Sequence, residues 1–367
     1  MIPVTSPKLT VRNIRAVAVK VPMTYVLGTS AQAVREAPLL LVDLETDEGV
    51  TGRAYQFCYL PAAAAAIVTM LEEVLRTVKG DTVAPLELWA KLARRFILIG
   101  VQGIVRMAMA SFDLACWDAV ARAAGQPLVS YLGGRPGPVP AYNSCGLGLM
   151  APAAVADEAE KLLAGGFRAL KLRLGYPTLD ADVAAVRAVR ARVPREIHLM
   201  VDYNQALTVE EAIRRGQVLD AEGVYWIEEP IRHDDHAGCA QVARALSTPV
   251  QIGENFSLPY DMERALAAQA CEYVMPDLER IGGVTGWQRA AELARARDIR
   301  MSSHLYPEVS AHLLAVTHTA HWLEYVDWAN AIVEEPLRIV DGNAIIPDRP
   351  GNGLTWDEGA VRRYRMS

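Results

Sequence analysis

The sequence predicts an α/β molecule in two parts: an α+β module, then a parallel α/β barrel. Three observations predict it. Up to about Leu132, strand-like runs come first and helical runs follow, the segregated order of an α+β unit. From Pro140 to Glu324, short apolar runs alternate with helical stretches, the rhythm of parallel strands joined by crossover helices. Between the two lies the densest Gly/Pro run of the chain, Gly133-Gly-Arg-Pro-Gly-Pro138, which marks a boundary. The expected division is an N-terminal module over residues 1–132, a barrel over 138–328, and a segment over 329–367 that returns to the first module.

In the first module, Val11–Val21 and Leu39–Glu45 are β-branched and partly alternating, and Thr46-Asp-Glu-Gly49 forms a turn between strands. Pro61–Thr77, Leu86–Arg95 and Ile104–Ala123 carry apolar residues at helical spacing. In the second part the strand runs are Pro140–Ser144, Ala169–Leu174, His198–Asp202, Val224–Glu228, Val250–Gly253, Tyr273–Met275, Met301–Ser303 and Trp322–Glu324. A helical stretch follows each run but the last. Eight such strands fit a closed barrel. A doubly wound sheet is the alternative, but it usually carries a glycine fingerprint after its first strand, and none follows here.

Composition narrows the function. With 51% hydrophobic and 22% charged residues, the chain is neither disordered, nor fibrous, nor a small disulfide scaffold. A net charge of −6 argues against sequence-independent nucleic-acid binding. The longest apolar stretch, Pro61–Leu71, falls well short of the ~20 residues that span a bilayer, so no membrane partner is expected. Five scattered cysteines form no C-x-x-C pair, and no secretory signal is visible. Reduced thiols and a cytoplasmic location are the expectation.

The chemistry lies at the strand ends. Asp202, Glu228 and Glu254 each end a successive strand run, 26 residues apart, which is one strand–helix unit. A single acid there would ordinarily cap the next helix. Three in register stand side by side at the C-terminal mouth of a barrel, where they repel unless a cation joins them. An all-oxygen set suits Mg²⁺, with Mn²⁺ as a possibility. On the second strand, Lys171 and Arg173 alternate onto one face and make a cationic site for an anionic small-molecule substrate. Asp277 and His304 end the sixth and seventh strands, a carboxylate–histidine pair suited to a general base. Glu324 ends the eighth. Beside a substrate carboxylate its pKa should be raised. His233-Asp-Asp-His236 reads as a solvated loop, Asn255-Phe-Ser257 as an unused sequon, and Tyr225 with Trp226 as barrel core.

These segments resemble one family. Lys171-Leu-Arg173-Leu-Gly, Val201-Asp202-Tyr-Asn204-Gln, Trp226-Ile-Glu228-Glu-Pro, Gly253-Glu254-Asn, Pro276-Asp277, Ile281-Gly-Gly-Val-Thr-Gly-Trp287, Ser302-Ser-His304-Leu and His321-Trp-Leu-Glu324 are similar to the enolase superfamily, mandelate racemase subgroup. The resemblance implies a (β/α)7β modified TIM barrel with an α+β capping domain. It implies Asp202, Glu228 and Glu254 as ligands of one Mg²⁺, and Lys171 and Glu324 at the substrate carboxylate. Asp277–His304 becomes the base, Ser144 and Asn204 line the site, and Leu27, Ala31, Val34, Tyr59, Leu305 and Val326 make an apolar wall. The implied reaction is abstraction of the α-proton of a 2-hydroxy carboxylate through a stabilised enediolate, as in a racemase or epimerase, in a homo-oligomer such as an octamer.

One position departs from the pattern. The second basic residue of the strand motif, a lysine that serves as the opposite-face base in the racemase, is Arg173 here. Arginine stays protonated, so His304 as sole acid/base, acting as an acid-sugar dehydratase, is the alternative. A carboxylate- and metal-binding barrel without catalysis is a third reading.

Overall fold

The computed structural model describes residues 8–30 and 32–366. An antiparallel meander comes first: β1 (Val11–Gly28), β2 (Ala33–Thr46) and β3 (Thr51–Phe57). The β1–β2 hairpin runs further than its apolar pattern predicts. Pairing lapses between Pro22 and Leu27, resumes at Leu27↔Val34, and ends at Gly28↔Ala33. Proline has no N–H for the ladder, and the arm beyond it lacks the alternation that marks a strand in sequence.

Helices Pro61–Val78, Pro85–Arg95 and Gly103–Ala123 cover the sheet, the first two with proline in their opening turn, where no N–H is needed. Small residues let the third lie against β3. A Cβ on Gly52 would sit 2.0 Å from the Ala115 carbonyl oxygen, so glycine is required by close approach.

The second part is a ring of parallel strands: β4 (Pro138–Asn143), β5 (Ala169–Arg173), β6 (His198–Asp202), β7 (Ile227–Glu228), β8 (Val250–Ile252), β9 (Tyr273–Val274), β10 (Arg300–Met301) and β11 (Leu323–Tyr325). Each pairs with the next as far as β10, and β11 pairs with β4. Backbone bonds from His321 N to Met301 O (2.9 Å) and Ser303 N to Trp322 O (3.0 Å) close the ring. Among the described residues, these are the eight strands the sequence predicts, with helices in each of the seven connections. β7 is shorter than expected, though Tyr225 N still bonds Leu199 O at 2.7 Å.

Beyond the barrel, β12 (Arg338–Val340) and β13 (Asn343–Ile345) form a hairpin that pairs antiparallel with the start of β4. The chain then meets the N-terminal sheet. Trp356 Nε1 donates to Asp43 Oδ1 at 2.7 Å, and Met366 N to Ala18 O at 2.9 Å. No helix among the described residues is long and apolar enough to cross a membrane.

Candidate active site

Strand register assembles the site. Arg173 pairs with Asp202 across β5–β6, and Asp202 with Glu228 across β6–β7, so these side chains reach one end of the barrel together. Asp202, Glu228 and Glu254 each offer an oxygen within 4.8 Å of the others. Asp202 and Glu228 are buried, and burial lifts both from their ordinary values, Glu228 to about 8. Clustered, desolvated oxygens of this kind fit a hard divalent cation, which would satisfy charges that the protein leaves crowded. Trp226 Nε1 donates to Glu228 Oε2 at 3.1 Å, and Asn204 holds Asp202 with its backbone N–H (2.8 Å) and its side-chain amide (2.9 Å). These bonds fix the carboxylates' orientation.

Lys171 sits beside them, 2.6 Å from Glu228 Oε1, 2.7 Å from Glu324 Oε1 and 3.5 Å from Asp202 Oδ2. Burial works against its charge, but Glu228, Glu324 and Asp202 outweigh burial and hold it above the ordinary lysine range. Glu324 corrects an expectation. Burial alone would raise it, but the Lys171 and His304 charges and the Leu305 N–H, 2.8 Å away, hold it well below the carboxylate range. Nothing in the sequence marks that Lys171 is already paired with this carboxylate.

His304 Nδ1 lies 2.7 Å from Asp277 Oδ2, and its Nε2 lies 3.4 Å from Glu254 Oε2. Burial would lower the imidazole, but Glu254, Glu324 and Asp277 push it up to about 9. Around the ring, the strand ends of the carboxylate triad separate Lys171 and Arg173 on one side from the histidine pair on the other. Arg173 is clamped: Nη1 donates to the carbonyls of Ser144 (2.8 Å) and Gly146 (2.7 Å), and Nη2 to Ser144 Oγ (2.9 Å). Ser144 Oγ donates in turn to Glu324 Oε1 at 2.7 Å. The Arg173 Nε is buried without a partner.

A cavity of about 230 Å³ opens over these groups. Of the residues expected there, Leu27, Tyr59, Leu305 and Asn204 line it together with Lys171, Arg173, Asp202, Glu254, His304 and Glu324. Ser144 and Val34 do not. Ser144 is spent between Arg173 and Glu324, and Val34 is packed in the apolar core opposite Leu27. Val326 is likewise core, and Ala31 lies outside the described residues. His233 and His236 join no metal-holding cluster among the described residues; between them, Asp235 caps the helix His236–Ala245.

Sequence reasoning missed several residues. Phe57 and Trp328 extend the apolar wall, and Gln205, Asn255 and Arg280 line the polar side. Asn255, part of the sequon, turns inward to donate to both oxygens of the buried Glu229 at 3.0 and 2.9 Å. Arg280 Nη1 donates to the Glu254 carbonyl at 3.0 Å, and its guanidinium lies 5.0 Å from the Tyr59 ring centroid. The one available signal for Arg280 was its place a helical turn past Asp277.

A capped barrel with three carboxylates at its mouth, a lysine on one side and a carboxylate–histidine pair on the other defines a class of proton-abstracting enzymes. Residues 11–133 match the mandelate racemase/muconate lactonizing enzyme N-terminal domain, and residues 154–360 the enolase C-terminal domain-like family. The chain belongs to the enolase superfamily, in its mandelate racemase subgroup.

It is similar to an enolase from alpha proteobacterium bal199 solved with bound magnesium, at 45% identity and TM-score 0.96, covering 98% of this chain and 100% of that one. An enolase from Bradyrhizobium, complexed with magnesium and mandelic acid, is 39% identical with TM-score 0.94, over 98% and 99% of the two chains. The 3,6-anhydro-alpha-L-galactonate cycloisomerase of Streptomyces coelicolor is 32% identical, over 95% of this chain and 97% of that protein. Other relatives are sugar-acid dehydratases.

Proposed function

We propose that the protein removes the α-proton of a 2-hydroxy carboxylate with His304 and completes turnover from that one face. The carrying observation is the asymmetry of the site. On one side stands an imidazole held by Asp277 at 2.7 Å; on the other stands a clamped guanidinium. A guanidinium is a fixed cation rather than a proton acceptor, so Arg173 supplies no second base.

Asp202, Glu228 and Glu254 would hold Mg²⁺, or Mn²⁺ in its place. Bound there, the ion supplies Lewis-acid stabilisation of the charge that develops on the substrate carboxylate and offsets the field of its three ligands. Lys171 is placed to donate to that carboxylate, and preorganised charge of this kind lowers the barrier to removing so weakly acidic a proton. Glu324, oriented by Ser144 and the Leu305 N–H, fixes Lys171. The proton taken by His304 Nε2 then returns to a β-hydroxyl leaving on the same side. Water departs, and a 2-keto-3-deoxy acid remains after tautomerisation.

Racemisation is the second reading. The apolar wall of Leu27, Phe57, Tyr59, Leu305 and Trp328 supports it, as does the mandelic acid held by the Bradyrhizobium relative. Our reading also keeps a cytoplasmic homo-oligomer, with the chain divided at residues 132, 138 and 328.

Incubation with Mg²⁺ in D₂O, against both mandelate enantiomers and a panel of sugar acids, tests it by proton NMR. A deoxy-keto product from a sugar acid, or exchange of one enantiomer's α-proton without inversion, is expected. Stoichiometric carboxylate binding with no exchange in any compound would overturn it in favour of a non-catalytic binding barrel.

A further inference from the structure

Two turns carry the base pair: residues 277–281 follow β9 and residues 304–308 follow β10. The second is strained. Leu305 and Tyr306 have φ of 51° and 49°, left-handed values that cost a non-glycine residue roughly 1–3 kcal/mol each and persist only where the surroundings hold them. The strain has a result, since it aims the Leu305 N–H at Glu324 Oε2 and sets the Leu305 side chain in the cavity wall.

Tyr306 holds this turn from the cap side. Its ring is buried, 2% exposed, against Tyr55, with centroids 5.3 Å apart. Its hydroxyl accepts the Phe57 N–H of β3 at 3.1 Å and stands in the field of the Glu279 carboxyl. Glu279 is itself 1% exposed and lies two residues past Asp277. Asp277 Oδ1 accepts the backbone N–H groups of Glu279 (2.9 Å) and Arg280 (3.1 Å), while its Oδ2 meets His304. One hydroxyl therefore joins a cap strand to the turn after His304.

We propose that Tyr306 is a positioning residue for the base, its hydroxyl tying the turn after His304 to the Phe57 N–H of the cap so that the His304–Asp277 geometry depends on the seated cap. The inference rests on reading His304 as the base. A neighbouring bond supplies the control. Tyr55 Oη donates to Glu308 Oε2 at 2.6 Å, from the same strand across the same buried seam, but it ends on the helix Pro307–Leu314, beyond the left-handed pair Leu305 and Tyr306.

The test reads the pair directly, without substrate, through the low-field proton resonance of the His304 Nδ1–H, identified by its loss in His304→Asn. In Tyr306→Phe the resonance should move or broaden away, while in Tyr55→Phe it keeps its wild-type position. An unchanged resonance in folded Tyr306→Phe, or an equal displacement in both tyrosine variants, would overturn the proposal. With a substrate in hand, Tyr306→Phe should lower kcat for α-proton exchange about tenfold, with KM within about twofold of wild type. Should the wild type exchange no proton while the resonance responds as expected, the base assignment fails and the positioning role stands.

Discussion

The two ends of the barrel use histidine in opposite ways. At the C-terminal mouth, His304 faces Asp277, Glu254 and Glu324, and these carboxylates push it up to about 9 against the effect of burial. At the other end, His321 bonds the Tyr225 hydroxyl at 2.8 Å amid Tyr225, Trp226, Tyr273 and Trp322, and burial lowers it to about 3. The strands that carry them are neighbours. The mouth also gathers left-handed residues (Asn204, Gln205, Glu229, Leu305 and Tyr306). One end stores charge and strain for chemistry, and the other is a neutral plug that holds the ring closed.

The sharpest way to break that contrast is to exchange the two histidines' fates. His304→Asn should lower α-proton exchange by about 10³–10⁴-fold, because it removes the sole base. His321→Asn should leave exchange within about twofold of wild type, since His321 stands at the opposite end of the barrel and meets the site only through Trp226, whose own bond to Glu228 the substitution leaves in place. Comparable losses in both would erase the distinction.

Metal should act on one end alone. With Mg²⁺ at about 100 times its Kd, the wild type should gain about 2.7 kcal/mol of unfolding stability by linkage. Glu228→Gln should lose most of that gain, and without metal it should unfold at or above the wild-type Tm, because a crowded carboxylate is gone. Calorimetric scans with and without Mg²⁺ check both outcomes.

Arg173→Lys probes the handedness of the mouth. A lysine surrenders the forked clamp on Ser144 and Gly146, so elimination should fall about tenfold, while a deprotonable group appears on the second face. Chiral chromatography of recovered substrate should then detect inversion that the wild type lacks.

The smallest expected effect belongs to the aromatic end and concerns pH. His321 is lower in the folded state than its unfolded value near 6.5, so the unfolded chain binds the proton first. Its contribution is complete above pH 6.5 and is lost as pH falls toward about 3. Between pH 6.5 and 5 it amounts to about 2 kcal/mol. His321→Gln should flatten that limb of the Tm–pH curve.

What the sequence disclosed follows the same division. The triad was legible because a strand–helix unit has a fixed length, so equal spacing of Asp202, Glu228 and Glu254 translates into adjacency around a ring. The Lys171/Arg173 face and the Asp277–His304 pair were legible by strand alternation and by position at strand ends. The sign of the Glu324 shift was not, since it depends on a lysine 153 positions away in sequence meeting it at 2.7 Å. Glu229, Asn255 and Tyr306 were invisible because turns past strand ends follow no period, and Arg280 offered only its place a helical turn past Asp277. Ser144 and Val34 were named for the cavity but sit behind it, a depth that motif matching does not encode.

The account's central claim is that this mouth works from a single face. It is tested most directly by giving the wild-type enzyme, with Mg²⁺ in D₂O, each enantiomer separately of whichever α-chiral substrate the exchange screen identifies, and following label and chirality together. The account predicts deuterium entering one enantiomer only, with configuration retained. Inversion from both enantiomers at comparable rates would contradict it and make Arg173, or a group it supports, a working second base.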